Sequence, residues 1–160
     1  TFAKHALWET ATKTPLIFSA PNLPKGKKIN APVELLSIYP TLLELSGLPA
    51  YARNEGKSLV TMMQKDEGLK DSNALTTYGY NNHAVRTNQY RYIQYEDGTQ
   101  ELYDHNNDSN EWKNLAGKPE FKDIIEELKL LLPKTNAKWD EKSMYKFQPY
   151  FVEQKARTSR

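Results

Sequence analysis

The first half of the chain has one clear helical period of apolar residues. Ile38, Leu42 and Leu45 recur at the three- and four-residue spacing of a helix that buries one face. Ser37 can cap the amino end of this helix with its hydroxyl group. Gly47 predicts its carboxyl end, because glycine readily takes the left-handed conformation found there. The pattern therefore predicts a short amphipathic helix between Ser37 and Gly47.

Two shorter apolar runs flank this helix. Residues 15–21 form an apolar run between two prolines, which is typical of a buried strand in an α/β sheet. After the helix, Leu59, Met62 and Met63 predict a second short helix. The polar residues 66–73 then predict a linker. A strand followed by a capped helix indicates a βα unit.

The second half of the chain changes to a strand-like composition. Tyr, Thr and Val are enriched there, as expected for an antiparallel sheet. The dipeptide Asp97-Gly98 predicts a tight turn between the last two strands. The strands are predicted at residues 75–80, 84–87, 90–95 and 100–104.

A further amphipathic helix is predicted after Pro119. It carries one apolar stripe, and Pro133 ends it. The stripe consists of Phe121, Ile124, Ile125, Leu128, Leu131 and Leu132. Such a stripe should cover one face of the antiparallel sheet and so produce an α+β subdomain.

These patterns divide the chain into three parts. Residues 1–70 are predicted to be the end of a large α/β domain. They are incomplete by themselves, because a strand and a helix without the rest of their sheet leave apolar faces open. Residues 71–133 are predicted to be a C-terminal α+β subdomain. Residues 134–160 carry seven Lys or Arg against three Asp or Glu, which indicates a basic C-terminal extension.

Composition excludes several classes of function. The net charge of +2, with 26% charged residues, gives no strong field for nucleic acid or a membrane surface. No apolar run approaches the roughly 20 residues that cross a bilayer. The chain has no cysteine, so it has neither a disulfide framework nor a thiolate metal site.

Three groups of residues occur in an informative order. They are Lys4-His5-Ala6-Leu7-Trp8-Glu9 with Thr14-Pro15-Leu16-Ile17, then Pro40-Thr41-Leu42 with Gly47-Leu48-Pro49, then Glu101-Leu102-Tyr103-Asp104 with Asp108, Glu111 and Asn114-Leu115. This order resembles the sulfatase family of the alkaline-phosphatase superfamily, most closely its iduronate-sulfatase-like branch. Ser109 stands where the family commonly has proline in an Asp-Pro-x-Glu motif. We assign the third group a structural role in closing the hairpin, with His105 exposed in the turn.

The resemblance implies a fold and a reaction. The fold would be the C-terminal part of an alkaline-phosphatase-like sulfatase: the last βα unit of the large sheet, plus a small antiparallel sheet covered by a C-terminal helix. The reaction would be hydrolysis of a sulfate ester on a sugar or polysaccharide by a periplasmic or secreted enzyme.

The resemblance also implies a partner and cofactors outside this chain. The family's nucleophile is a formylglycine made in a Cys/Ser-x-Pro-x-Arg motif, and it acts beside a divalent metal ion, usually calcium. This sequence contains neither that motif nor those metal ligands. Nucleophile and metal would therefore belong to an N-terminal portion of the enzyme, without which this chain is expected to be inactive.

Lys4 and His5 are the predicted catalytic residues. The family has a lysine at the place of Lys4 that reaches the sulfate. Cleavage of a sulfate ester puts charge on the sulfate oxygens and on the departing sugar oxygen, and a fixed ammonium stabilises that charge. His5 can contact substrate or donate a proton to the leaving group, or it can pack beside Trp8. Trp8 and Glu9 are assigned to packing and to an ion pair.

Asn82, His83 and Arg86 are the predicted substrate-binding residues. They resemble the stretch of sulfatases where a loop enters an Arg-containing strand at the mouth of the active site. Asn82 and His83 could hydrogen-bond sugar hydroxyls, and Arg86 could hold a carboxylate or a sulfate. His83 and Arg86 are three residues apart, so on a regular strand they point to opposite faces. The alternative for Arg86 is an ion pair within the subdomain.

The sequence is also compatible with other functions. A relative of the same architecture could cleave phosphonates or phosphodiesters. The chain could also be a non-catalytic glycan-binding domain, or a purely structural fragment in which Lys4 and His83 never approach substrate. Tyr90, Arg91 and Tyr92 indicate aromatic sheet packing and not a nucleic-acid stacking platform.

Overall fold

The computed structural model describes residues 6–137. Its helices are α1 (Glu9–Thr12), α2 (Ile38–Leu45), α3 (Val60–Lys65) and α4 (Lys122–Lys129), and its strands are β1 (Asn73–Thr77), β2 (His83–Thr87), β3 (Tyr90–Gln94) and β4 (Gln100–Asp104). Short 3-10 turns at Leu35–Ser37 and Pro119–Phe121 lead into α2 and α4. Lys4, His5 and residues 138–160 lie outside the described residues.

The four strands form one antiparallel sheet in chain order, β1-β2-β3-β4. The antiparallel sheet predicted for this half is confirmed, and β4 has its predicted bounds. Val85 lies opposite Tyr92, and Tyr92 lies opposite Leu102. These three side chains share one face of the sheet, because residues at opposed positions point the same way.

The turn between β3 and β4 uses only one left-handed residue. Gly98 has φ +83°, and its N–H donates to the carbonyl of Tyr95 at 3.0 Å. The N–H and hydroxyl of Thr99 both donate to the carboxylate of Asp97. Asp97 is not among the residues with positive φ, so the turn is a type I turn closed by a left-handed glycine.

Helix α4 covers the sheet face that carries Val85, Tyr92 and Leu102, as predicted. Ile125 and Leu128 are buried against these residues. Leu115, Phe121, Ile124 and Leu132 complete this cluster. Helix α4 ends at Lys129, before the predicted end at Pro133, so Leu131, the remaining member of the predicted stripe, lies beyond it and is 41% exposed.

The other face of the sheet is covered by the segment that leads into α1. Leu7 is buried against Ala84, Ile93 and Tyr103. Trp8, Tyr78 and Tyr95 pack around this second cluster. The sheet is therefore covered on both faces, by a helix on one and by an irregular segment on the other.

Helix α2 ends as its sequence predicts. The N–H of Leu48 donates to the carbonyl of Leu43 at 2.9 Å, and the N–H of Gly47 donates to that of Glu44 at 3.0 Å. With Gly47 at φ +67°, this is the Schellman arrangement. The predicted Ser37 cap is wrong, because the preceding 3-10 turn gives Ser37 helical dihedrals and its side chain makes no capping bond.

Residues 15–21 do not form the predicted strand. They are irregular and have no strand partner in the part of the chain that the structure describes. The side chain of Ile17 is 85% exposed. A buried parallel strand depends on neighbours that satisfy its backbone groups and cover its faces, and the described sheet lies elsewhere.

Hydrogen bonds connect the first half of the chain to β1. The carboxylate of Glu34 accepts the N–H of Leu75 at 2.7 Å, and the hydroxyl of Ser72 donates to the carbonyl of Pro32. The division of the chain at residue 70 stays a prediction.

Among the described residues, no helix has the length and apolar character needed to cross a membrane.

Leu102→Ala should strongly destabilise the chain. Leu102 is 0% exposed, so its truncation leaves a cavity between the sheet and α4. The expected loss in the free energy of unfolding is about 2–5 kcal/mol, measured by urea denaturation. Leu130→Ala is the matched control, because Leu130 is 78% exposed and should change stability little. Equal effects of the two substitutions would contradict the assignment of the core.

Candidate functional site

A cavity of about 1620 Å³ opens beside the sheet face that carries Leu7. Ala6, Glu9, Tyr78, Arg86 and Arg91 belong to its wall on the sheet side. The facing wall comes from the segment before α2 and from α3 and includes Leu16, Phe18, Lys27, Lys28, Leu36, Met62 and Met63. The cavity therefore combines apolar walls with one buried guanidinium group, that of Arg91, and one half-buried group, that of Arg86.

Arg91 is the central charged group of this wall. It lies in β3 and its side chain is only 2% exposed. Its Nε donates to Oε1 of Glu111 at 2.5 Å, and its Nη2 donates to Oε2 of Glu9 at 2.5 Å. Nη2 also donates to the hydroxyl of Thr12, and Nη1 donates to the carbonyl of Leu7 at 3.0 Å. Every nitrogen of the guanidinium group is bound.

Glu111 connects the same network to the loop after β4. Its Oε2 accepts the backbone N–H of Glu9 at 2.7 Å, and its Oε1 lies 2.9 Å from Nε2 of His105. His105 was expected to be exposed, and that expectation is wrong: its side chain is only 7% exposed. Glu111 has φ +57°, a left-handed conformation that is strained for a residue with a side chain.

A second carboxylate, that of Glu101 in β4, holds Trp8. The indole N–H of Trp8 donates to Oε2 of Glu101 at 2.7 Å. The hydroxyls of Tyr95 and Tyr103 donate to the same carboxylate at 3.2 and 2.9 Å. Burial, together with the charge of Glu101, raises the pKa of both phenols, so they stay protonated and remain donors.

The charges around Glu9 decide its protonation state. Burial opposes ionisation of this carboxyl group, but the hydrogen bond and charge of Arg91, with the charges of Arg86 and His105, outweigh it and lower the pKa of Glu9. Nε of Arg86 lies 3.5 Å from Oε2 of Glu9. Burial lowers the pKa of Arg86, Glu9 opposes that change, and the charge of Arg91 adds to it.

The predicted site residues lie in different places. The catalytic candidates Lys4 and His5 are outside the described residues. Arg86 lines the cavity and forms an ion pair with Glu9, which lies outside the subdomain in which its alternative ion pair was predicted. His83 is on the opposite face of the sheet, as its spacing from Arg86 predicts.

His83 and Asn82 are both engaged within the subdomain. Nδ1 of His83 lies 2.8 Å from the hydroxyl of Thr77. Burial lowers the pKa of His83, and a hydrogen bond with Asn136 partly offsets this. The amide of Asn82 donates to the carbonyl of Tyr80 and accepts the N–H of Glu96. Neither residue lines the cavity, and their substrate-binding role stays a prediction.

A metal ion does not fit the carboxylates of this wall. Glu9, His105 and Glu111 place ligand atoms within 4.8 Å of one another. The guanidinium of Arg91 already lies between the two carboxylates, at 2.5 Å from each. A cation would meet its positive charge, and calcium requires six to eight oxygen ligands. The arrangement is an ion-pair network, and the metal implied by the resemblance would have its ligands elsewhere.

The sequence patterns assigned neither Arg91 nor Glu101 to a network of ion pairs and hydrogen bonds. Both lie in strands that were interpreted as aromatic packing and hairpin closure. Each is a charged residue within a strand, where successive side chains point to opposite faces of the sheet, and each points to a face that is covered. That pattern is the available signal, because a buried charge requires a partner of opposite charge or a set of hydrogen bonds.

Comparison with known proteins identifies the class. The chain belongs to the family described as N-sulphoglucosamine sulphohydrolase, C-terminal, whose model matches residues 1–138. It is 74% identical over 157 residues to a sulfatase of Formosa agariphila, covering 98% of this chain and 31% of that protein. It is 30% identical over 162 residues to an ulvan-active sulfatase of the same organism, covering 94% of this chain and 31% of that relative.

A solved structure agrees with this family. A crystal structure from Bacteroides thetaiotaomicron, provisionally assigned as a sulfatase, matches with a TM-score of 0.51 at 28% identity. The match covers 59% of this chain and 22% of that one. The predicted fold class, part of an alkaline-phosphatase-like sulfatase, is thereby confirmed. The chain spans about a third of the length of the curated relatives.

Glu9→Gln should change how stability depends on pH. In the folded chain the pKa of Glu9 is below its ordinary value of 4.5, so the ionised carboxylate contributes stability above that pH. This contribution is lost as pH falls through the lowered pKa. Urea denaturation at pH 7 and in steps below pH 4.5 should show a smaller acid-induced loss for Glu9→Gln than for the unaltered chain.

Glu44→Gln is the matched control for this measurement. Glu44 is an exposed carboxylate of α2, away from the Arg91 network. Its variant should follow the unaltered chain at every pH. If Glu9→Gln also follows the unaltered chain, the ion pairs of Glu9 do not act as described.

Proposed function

We propose that this chain is the C-terminal part of a sulfatase that removes sulfate from a sulfated sugar or polysaccharide. The observation that carries the proposal is the 74% identity to the Formosa agariphila sulfatase over 98% of this chain. Because the chain corresponds to 31% of that relative, the proposal includes an N-terminal portion as partner and predicts that this chain alone is inactive.

The proposed roles of Lys4 and His5 follow from the charge that develops during sulfate release. A formylglycine and a divalent ion such as calcium, both supplied outside this chain, would provide the attack on sulfur and part of the charge neutralisation. The ammonium of Lys4 stabilises the sulfate oxygens and the departing sugar oxygen in the transition state. His5 contacts the substrate or donates a proton to that oxygen, since imidazole has both charge states available near neutral pH.

An acidic sulfated saccharide is the proposed substrate class. Arg86 borders the cavity, and a guanidinium can form paired hydrogen bonds with a carboxylate or a sulfate. Asn82, in the loop before β2, and His83, the first residue of β2, are proposed to contact sugar hydroxyls. The names of two relatives support this class: the ulvan-active sulfatase, and a delta 4,5-hexuronate-2-O-sulfatase of Bacteroides thetaiotaomicron that is 30% identical over 159 residues. Polymers of this kind lie outside the cytoplasm, so a periplasmic or secreted enzyme is proposed.

A chimera tests this proposal directly. The matching 31% of the Formosa agariphila sulfatase is replaced by this chain, and hydrolysis of sulfated oligosaccharides is measured. The chimera should release sulfate, and the 160-residue chain alone should not. Lys4→Ala should lower kcat/KM by about 10²–10³-fold, as for loss of one transition-state hydrogen-bond donor.

Lys122→Ala is the control for the charge change, because Lys122 is exposed at the start of α4. It should leave the activity unchanged. A chimera with a cooperative thermal transition and no sulfate release would contradict the proposal. Cleavage of nitrophenyl phosphodiesters in place of sulfate esters would favour the phosphodiesterase alternative, and binding of sulfated glycan without turnover would favour a binding domain.

A further inference from the structure

The segment Leu7-Trp8-Glu9 cannot hold its own conformation. It runs into α1, a helix of four residues, and isolated helices of that length are unstable in water. Its position must therefore come from tertiary contacts. Burial of Leu7 against the sheet supplies the apolar part of these contacts.

Three successive residues of this segment are each held by a different side chain. The carbonyl of Leu7 accepts from Arg91, the indole of Trp8 donates to Glu101, and the N–H of Glu9 donates to Glu111. The three holding side chains come from β3, from β4 and from the loop after β4. Burial of Leu7 would attach the segment at one point. The polar contacts also fix its direction and rotation, because hydrogen bonds are directional.

The polar groups are not the simplest way to obtain stability here. The side chains of Arg91 and Glu111 are only 2% and 3% exposed, and well-packed apolar residues often replace such a pair without loss of stability. Glu111 also keeps a strained left-handed backbone. Strained backbones and buried ion pairs persist where the surrounding structure requires one geometry. Both features indicate that the orientation of the segment is what this network secures.

The segment leads directly to the predicted catalytic residues. Ala6 lines the same cavity as Arg86, and two peptide units separate Ala6 from Lys4. Lys4 is therefore covalently connected, through His5, to a segment whose orientation this network fixes.

We propose that Arg91, together with Glu101 and Glu111, positions the Leu7-Trp8-Glu9 segment so that Lys4 is presented to the sulfate ester. Arg91, Glu101 and Glu111 are positioning residues in this proposal and do not touch the substrate. The inference rests on the proposed function, since it assigns these residues to the same reaction.

The activity test uses Arg91→Lys in the chimera and two leaving groups. Lysine keeps the positive charge but cannot reach Glu9, Glu111, Leu7 and Thr12 together. A sugar oxygen is a poor leaving group and depends on Lys4, whereas nitrophenolate leaves with little help. We expect kcat on the sulfated sugar to fall by up to about 10²-fold, as for a small misplacement of a catalytic group. The loss on 4-nitrophenyl sulfate should be much smaller.

A double-mutant cycle separates positioning from a structural role. With Lys4→Ala already present, Arg91→Lys should change kcat by no more than about twofold, because the group that it positions is gone. Glu111→Gln, which leaves Arg91 in place, should also lower kcat on the sulfated sugar, by a smaller factor, and should also have little effect when Lys4→Ala is present. Arg53→Lys is the matched control, because Arg53 is exposed, and it should change nothing. Equal losses on both substrates that persist with Lys4→Ala would overturn the proposal.

Hydrogen exchange on the chimera tests the anchor without any measurement of activity. Arg91→Lys should speed exchange of the Glu9 amide, which donates to Glu111, and leave the amides of β2 and β3 protected. An unchanged Glu9 amide would overturn the anchor. An unaltered chimera that is folded and inactive would instead refute the proposed function, so the two failures are distinguishable.

Discussion

The structure around the cavity depends on the interactions of one buried guanidinium group, that of Arg91, in which every nitrogen donates a hydrogen bond. Arg91 lies on an inner strand of the sheet, out of contact with water. Transfer of a charge into such a place costs several kcal/mol, and only a complete set of partners offsets it. The sheet cannot supply that set. It comes from Leu7, Glu9 and Thr12 on one side and Glu111 on the other, with Glu9 lying 82 residues away along the chain. Arg91 therefore holds segments that are distant in the sequence next to one another.

The two faces of the sheet are stabilised by different physical means. On the face covered by α4, apolar side chains pack together, and such contacts tolerate small shifts because they are not directional. On the other face, Leu7 makes the apolar contact while Arg91 and Glu101 make directional polar ones. The first face provides stability for the subdomain. The second face sets the orientation of the segment that borders the cavity, and this difference is why the proposed site belongs to it.

The order of motifs that resembles sulfatases has a physical meaning in this fold. The opening group contains Trp8 and Glu9, and the third group contains Glu101 and Glu111. Trp8 binds Glu101 across 93 residues, and the N–H of Glu9 binds Glu111 across 102 residues. Residues that the sequence presents as separate landmarks are therefore partners in one network. Membership of the sulphohydrolase C-terminal family places that network in a chain that spans about a third of its curated relatives.

The sequence by itself determined the local elements: the end of α2 at Gly47, the four strands, and the apolar face of α4. These follow from side-chain period and backbone preference within a few residues, which act in the same way wherever the element lies. Only the tertiary structure decided that residues 15–21 stay unpaired and that His105 is buried. It also decided that Asn82 holds its own loop, and that Arg91 meets Glu9. Each of these depends on which distant segment supplies the partner, and a local pattern carries no information about that partner.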